Sequence, residues 1–209
     1  MSSFPADLKN RLKARLYSGG PAQIYAPAYE KIAQLLSSDE APFLDLGCGS
    51  GGLVAAIADR LPDCQVVGID RNPSAASDAL HRVGGRGAAE VLSMDGQSMA
   101  FDDGTFQTVF ALQNLMHWRK PDEVLREVLR VLKPGGELRI YQAGGGPVPS
   151  EWLNRPKGWP PDSILRLRWK RYQPTEEFLR ALSGRLTRLG FAHVERSHEG
   201  FYRKWVASK

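Results

Sequence analysis

The chain has little cysteine: Cys48 and Cys64 are the only two among 209 residues. One lies inside a glycine-rich turn and the other just ahead of an apolar run, which excludes a disulfide-stapled fold and points to a reducing, cytoplasmic setting. Paired Cys or His ligands at zinc spacing are also missing, so no metal is expected. No apolar run approaches the roughly 20 residues needed to cross a bilayer, and no membrane partner is expected. The N-terminus lacks the apolar stretch of a secretory signal. Phe4, Leu8, Leu12 and Leu16 recur every four residues among Lys9, Arg11, Lys13 and Arg15, but Asp7 and the scarcity of Ser and Arg argue against a transit peptide. An amphipathic helix packed on the domain is the plainer reading of that spacing. Internal repeats and low-complexity tracts are lacking too. What remains is 42% hydrophobic and 24% charged, the composition of a soluble globular protein of a size that one domain accounts for.

Charge is unevenly placed. Residues 1–143 carry 15 basic and 17 acidic side chains, a net of −2, whereas residues 144–209 carry 13 basic and 6 acidic, a net of +7. The basic surplus therefore lies at the C-terminal end, where Arg166, Arg168, Trp169, Lys170, Arg171 and Tyr172 cluster. Such a cluster could contact RNA, since phosphates reward arginine and exposed rings stack on bases. A solvated helix face with a buried Trp169 explains it more simply.

The richest segment is Phe43 to Gly52, an apolar strand that includes Asp45 and runs through Gly47, Gly49, Gly51 and Gly52 into the helical pattern from Leu53. Glycine allows a tight turn and close backbone approach, and the free amides of a helix start favour negative charge. Residues 53–61 read as a helix stopped by Pro62, and residues 65–70 as a strand ending in Asp70. Asn72 and Pro73 open a helix that Gly84 and Gly85 end. Residues 89–94 form the next strand, followed by Asp95 and Gly96. Phe106 to Leu112 is a strand rich in β-branched and aromatic residues. Pro121 begins a helix with Leu125, Val128, Leu129 and Leu132 on one face, ended by Lys133, Pro134, Gly135 and Gly136. Leu138 to Tyr141 is a fifth strand. After a helix through Phe178 and Leu189, the segments 192–196 and 200–207 form an antiparallel pair joined by a tight connection.

Strands and helices alternating at this spacing predict a parallel sheet with helices on both faces, in which ligands lie at the carboxyl ends of strands. The glycine string alone leaves the cofactor open, because Gly47-x-Gly49-x-x-Gly52 with Asp70 downstream also satisfies the dinucleotide fingerprint. Asp45 two residues ahead of Gly47, the segments ending in Asp70 and Asp95, and the terminal hairpin separate the two readings. With these residues the chain resembles the class I S-adenosylmethionine-dependent methyltransferases, strongly over about residues 40–143. The resemblance implies an α/β fold with a Rossmann-like, seven-stranded, mostly parallel sheet closed by a C-terminal antiparallel hairpin. It implies a single domain: a helical cap or lid over residues 1–40, a cofactor-binding core over 41–143, an insertion over 144–174 that covers the site, and a helix and hairpin over 175–209.

The resemblance also implies roles. Asp45, Gly47, Gly49 and Gly51 border the methionine part of S-adenosylmethionine. Asp70 accepts the ribose hydroxyls with Arg71 beside it, Asp95 and Gly96 meet the adenine, and Gln113 lies beneath the sulfonium. Asn114, Trp118, Tyr17 and Tyr25 are candidates for the acceptor side, and His117 is the candidate general base because its ordinary pKa suits proton removal near neutrality. Each has a plainer reading: strand-ending acids often form turns, His117 and Trp118 can pack beside a cofactor, and tyrosines at helical spacing are more often core. The expected activity is methyl transfer to a small molecule with S-adenosylhomocysteine as product. The alternatives are an RNA methyltransferase, a catalytically silent S-adenosylmethionine-binding protein and, more distantly, a dinucleotide oxidoreductase. No Asn/Asp-Pro-Pro-Tyr motif supports methylation of DNA bases, and two cysteines cannot supply the thiols of an arsenite methyltransferase.

Overall fold

The computed structural model describes residues 21–144 and 173–209. The expected N-terminal helix, Tyr17, most of the covering insertion and the basic cluster around Trp169 lie outside the described residues. The strands form a seven-stranded, mostly parallel sheet. Contacts group the chain into two compact units, Met1–Gly96 and Gln97–Lys209.

In the first unit, helix α1 (Pro21–Gln34) leads to β1 (Phe43–Leu46), α2 (Gly52–Arg60), β2 (Val66–Asp70), α3 (Pro73–Val83) and β3 (Ala89–Ser93). Every residue of β1 is buried, Asp45 included, as a central parallel strand requires. β1 runs parallel to β2 with Phe43 opposite Val66 and Leu46 opposite Ile69, and β2 runs parallel to β3 with Asp70 opposite Ser93. This register brings the strand-ending acids to one end of the unit. Leu53, Val54, Ile57 and Ala58 of α2 are buried, and so are Ala76, Ala79 and Val83 of α3. As predicted, the Asn72 side chain caps α3 by accepting from Ser74 N at 3.1 Å, with Pro73 in the first turn.

The second unit runs β4 (Phe106–Leu112), α4 (Pro121–Val131), β5 (Leu132–Ala143), α5 (Glu176–Leu189), β6 (Ala192–Glu199) and β7 (Tyr202–Ser208). β4 and β5 are parallel, and β7 pairs antiparallel with both β5 and β6, so the terminal hairpin expected from the sequence is present. α4 has no side-chain N-cap, a device worth only about 1 kcal/mol. Its stripe of Val124, Leu125, Val128 and Val131 is buried, at roughly 1.5–3 kcal/mol for each full burial, and that decides its stability. Arg130 then ties the preceding loop to α4: its guanidinium donates to the carbonyls of Phe101 (2.7 Å) and Met99 (2.8 Å) and to Asp103 and Glu127. The hydrogen bonds from Arg130 to Glu127 hold that carboxyl below its usual range, with smaller contributions from the Met99 N–H and from the Arg130 charge.

One boundary differs from expectation. Lys133, Pro134, Gly135 and Gly136 do not separate helix from strand; β5 already begins at Leu132, which is paired with Phe106, and the register jumps so that Thr108 faces Glu137. The four residues form an irregularity inside a long strand. It is held by long-range partners: Gly135 N donates to Lys209 O (3.2 Å), Lys209 N donates to Gly136 O (2.9 Å), and Gln107 Nε2 donates to Gly135 O (3.3 Å). A Cβ on Gly136 would stand 2.9 Å from Gln107 O, so the close approach requires glycine there.

Candidate functional site

In the first unit the site grows from the end of β1. The amides of Gly47 and Cys48 both donate to Ile69 O, at 2.8 and 2.9 Å, which fastens the turn to the end of β2. Gly47, Gly49 and Gly51 all have positive φ, +72°, +54° and +76°, a region costly for residues with a side chain. Their surroundings differ. Among the described residues, a Cβ on Gly49 would meet nothing within 4 Å, so with respect to them this is the open part of the turn. A Cβ on Gly51 would lie 2.9 Å from the Ala79 Cβ, so this glycine lets α2 and α3 approach. Gly52 is the seat of Tyr29, whose ring would be 2.3 Å from an added Cβ. Tyr25 lies one turn earlier, its ring centroid 6.4 Å from that of Tyr29.

Asp70 is more than a strand-ending acid. Its Oδ2 accepts from Gly49 N at 3.0 Å and its Oδ1 accepts from Asn72 N at 2.8 Å, so it fixes the open glycine and the start of α3 together. A carboxylate has about four acceptor positions, and one on each oxygen is used here. Arg82 grips the same turn, with Nε donating to Ser50 O at 2.7 Å. Neither Arg82 nor the bond from Gly49 to Asp70 was visible in the sequence, because each joins residues more than 20 positions apart with no motif spacing between them.

Asp45 is buried, 3% exposed, and among the described residues no hydrogen bond reaches its carboxyl. Burial, with the nearby charge of Asp70 as the lesser cause, raises its pKa to about 7. Burial also pushes the Cys48 thiol up, reinforced by Asp45 and Asp70, so Cys48 is a packed thiol and not a nucleophile. Met94 N donates to Asp70 O at 3.1 Å and aligns the end of β3, beyond which Asp95 is exposed and Gly96 half-buried. Arg71 is exposed. The unit thus brings Asp45, Asp70 and the glycine turn together, with a buried acidic group that a cation would relieve and spare acceptors on a second acid.

In the second unit, Gln113 follows β4 with φ +52°, left-handed for a residue that has a side chain. Its N donates to Tyr141 O at 3.0 Å, and its Oε1 accepts from Gln142 Nε2 at 3.0 Å. Asn114 is 6% exposed and caps the 3-10 turn Leu115–His117, where His117 N donates to Asn114 O at 2.8 Å. The His117 side chain is exposed and Trp118 is half-buried. Among the described residues, no group of three or more His, Cys, Asp or Glu is placed to hold a metal ion, and no helix is long and apolar enough to cross a membrane.

The fold is shared with solved S-adenosylmethionine-dependent methyltransferases. Residues 44–140, a little under half of the chain, match the family described as "Methyltransferase domain". A sterol 4-C-methyltransferase of Caenorhabditis elegans is 30% identical over 142 residues, 60% of this chain and 42% of that protein. A sterol 24-C-methyltransferase of Neurospora crassa is 34% identical over 113 residues, 53% of this chain and 30% of that protein. The chain therefore spans less than half the length of these curated relatives. A crystal structure of a SAM-dependent methyltransferase from Aquifex aeolicus superposes with a TM-score of 0.67 at 20% identity, covering 99% of this chain and 98% of that one, which establishes the shared fold.

Proposed function

We propose that the protein transfers the methyl group of S-adenosylmethionine to a small-molecule acceptor. The observation that carries this is the glycine turn: open at Gly49, pinned by Asp70, and set over the buried carboxyl of Asp45. These residues fit the cofactor. Asp45, raised to about 7 by burial and by Asp70, gains most from a positively charged amino-acid end, reached directly or through water. The acceptor positions left on Asp70 suit two neighbouring hydroxyls. Asp95 and Gly96 are assigned to the adenine, Arg71 to the edge of the ribose site, and Gln113 to the sulfonium side, on the resemblance of these segments to class I methyltransferases.

When bound, the cofactor supplies a methyl carbon activated by sulfonium charge, and S-adenosylhomocysteine is the product. The work of the chain is chiefly positioning, which can supply on the order of 7–11 kcal/mol, whereas a general base adds ~10²–10⁴-fold. His117 is the candidate for that lesser role, with Asn114, Trp118, Tyr25 and Tyr17 as acceptor contacts. Its side chain is exposed. The sterol methyltransferases among the relatives support a small-molecule acceptor over a nucleic acid.

The test is calorimetric titration with S-adenosylhomocysteine, followed by label transfer from methyl-labelled cofactor to a panel of small-molecule acceptors. Saturable 1:1 binding and transfer to a small molecule are expected. Absence of S-adenosylhomocysteine binding would overturn the cofactor assignment, and intact binding without transfer to any acceptor would reduce the protein to a silent binder.

A further inference from the structure

Three glutamines far apart in the sequence meet in the second unit. Gln142, next to last in β5, is fully buried. Its Nε2 donates to Gln113 Oε1 at 3.0 Å and to Gln173 Oε1 at 2.8 Å. A primary amide nitrogen has two hydrogens in fixed in-plane directions, and both are used here, so the orientation of Gln142 sets the separation of its two neighbours. The chain leaves β5 after Ala143 and comes back at Gln173, just before the Thr175 cap of α5. One buried amide therefore joins the point of return to the left-handed residue that follows β4.

A brace alone would not need this chemistry. Among the described residues, Gln113 Nε2 and Gln142 Oε1 are buried without a hydrogen-bond partner, a cost of about 1–3 kcal/mol each that apolar side chains of the same shape avoid. Turning the amides over does not remove the deficit, since two bonds among three amides leave an end of Gln113 and an end of Gln142 unmatched either way. The same chain leaves one end of the Gln113 amide for a ligand. It also restrains the side chain of a residue whose backbone is already in a sparsely populated region.

We propose that Gln142 is a positioning residue: it holds the Gln113 amide in its ligand-binding orientation and makes that orientation depend on Gln173. This rests on the assignment of Gln113 to the cofactor made above. A residue that merely fills the core would change the melting temperature without changing ligand affinity measured well below it. A positioning residue changes affinity, and it does so through Gln113.

The experiment is calorimetry with S-adenosylhomocysteine on the full chain, with melting temperatures recorded for every variant. Gln142→Met, close in volume but unable to donate, is expected to weaken binding roughly fivefold. Gln173→Ala is expected to weaken it about threefold in the wild-type background and to have no effect in the Gln113→Ala background, because its influence passes through Gln113. If Gln113→Ala weakens binding but Gln142→Met does not, the positioning role is wrong and the cofactor assignment stands. If Gln113→Ala is itself silent, the assignment of Gln113 falls and the proposal falls with it. Should Gln142→Met fail to fold, the cycle between Gln113→Ala and Gln173→Ala decides alone: additive effects overturn the proposal, and non-additive effects support it.

Discussion

Asp45 and Asp70 lie in the carboxyl halves of β1 and β2, whereas Gln113 and Gln142 lie at the carboxyl ends of β4 and β5, so one unit carries acids where the other carries amides. Asp45 and Asp70 form a charged pair whose energetics depend on pH and on the sign of the ligand. Gln113 and Gln142 are neutral, so their contribution depends on geometry and hardly on pH. Both ends bury polar atoms, but they resolve the cost differently: Asp45 shifts its pKa, whereas the glutamines share hydrogen bonds and leave two atoms unmatched.

The largest effect is expected at the acidic end. Asp70→Ala removes the acceptor for Gly49 N and Asn72 N as well as the proposed contacts to two hydroxyls. Two charge-assisted bonds to the ligand at about 2 kcal/mol each give a loss of roughly 1,000-fold in S-adenosylhomocysteine affinity. Titration of the variant checks this, and an unchanged affinity would reduce Asp70 to a clamp on the turn.

Asp45 should give the clearest pH signature. Its carboxyl rises from 3.8 in the unfolded chain to about 7 in the fold, so the folded state binds the extra proton between those values. The resulting penalty is absent below the lower value, grows as pH rises, and is complete above the upper one. Asp45→Asn removes this dependence. Relative to wild type, the variant should gain about 3 kcal/mol of stability between pH 5 and pH 8, read from denaturant unfolding at each pH. Ligand binding should show the complement: affinity of the wild type for the cationic amino-acid end rises with pH up to about 7, with a proton released on binding, and the variant loses both features. A flat wild-type profile would mean that Asp45 ionises normally.

Gly51→Ala tests packing rather than charge. The added Cβ would lie 2.9 Å from the Ala79 Cβ on a backbone at φ +76°, so strain and overpacking act together. A loss of about 2–3 kcal/mol in stability is expected by denaturant unfolding. Gly49→Ala shares the backbone strain but not the clash, since nothing lies within 4 Å, and its stability loss should be about 1 kcal/mol. Equal losses in the two variants would contradict the division of the turn into an open and a packed part.

What could be read in the sequence follows the same division. The β4 boundaries, the Asn72 cap with Pro73 and the reversed hairpin rest on local chemistry, where side-chain type and the next few residues decide. Asp45 and Asp70 were legible as acids in the right strands, but not the use of Asp70 as a clamp on Gly49. The glutamine chain was not legible at all, because Gln142 and Gln173 carry no motif and meet only through long-range packing across 31 positions. Lys133 to Gly136 misled for a related reason. Pro and Gly spell a turn locally, yet Lys209 and Gln107 supply bonds that keep the segment within β5.

The smallest effect is also the sharpest test of the contrast between acid and amide. Gln113→Ala removes the proposed neutral amide contact to the ligand and frees Gln142, so S-adenosylhomocysteine affinity should fall by about 1 kcal/mol, roughly fivefold. Because no titrating group is lost, the fold-change should be the same at pH 6 and pH 8, even though the absolute affinity at the two values differs through Asp45. Combining Gln113→Ala with Asp45→Asn should give the fivefold loss superimposed on a flat pH profile, as expected for two independent contributions to affinity. If the Gln113→Ala penalty varied with pH in the wild-type background and became constant in the Asp45→Asn background, the amide and the acid would be coupled. The neutral end would then be sensing the proton on Asp45.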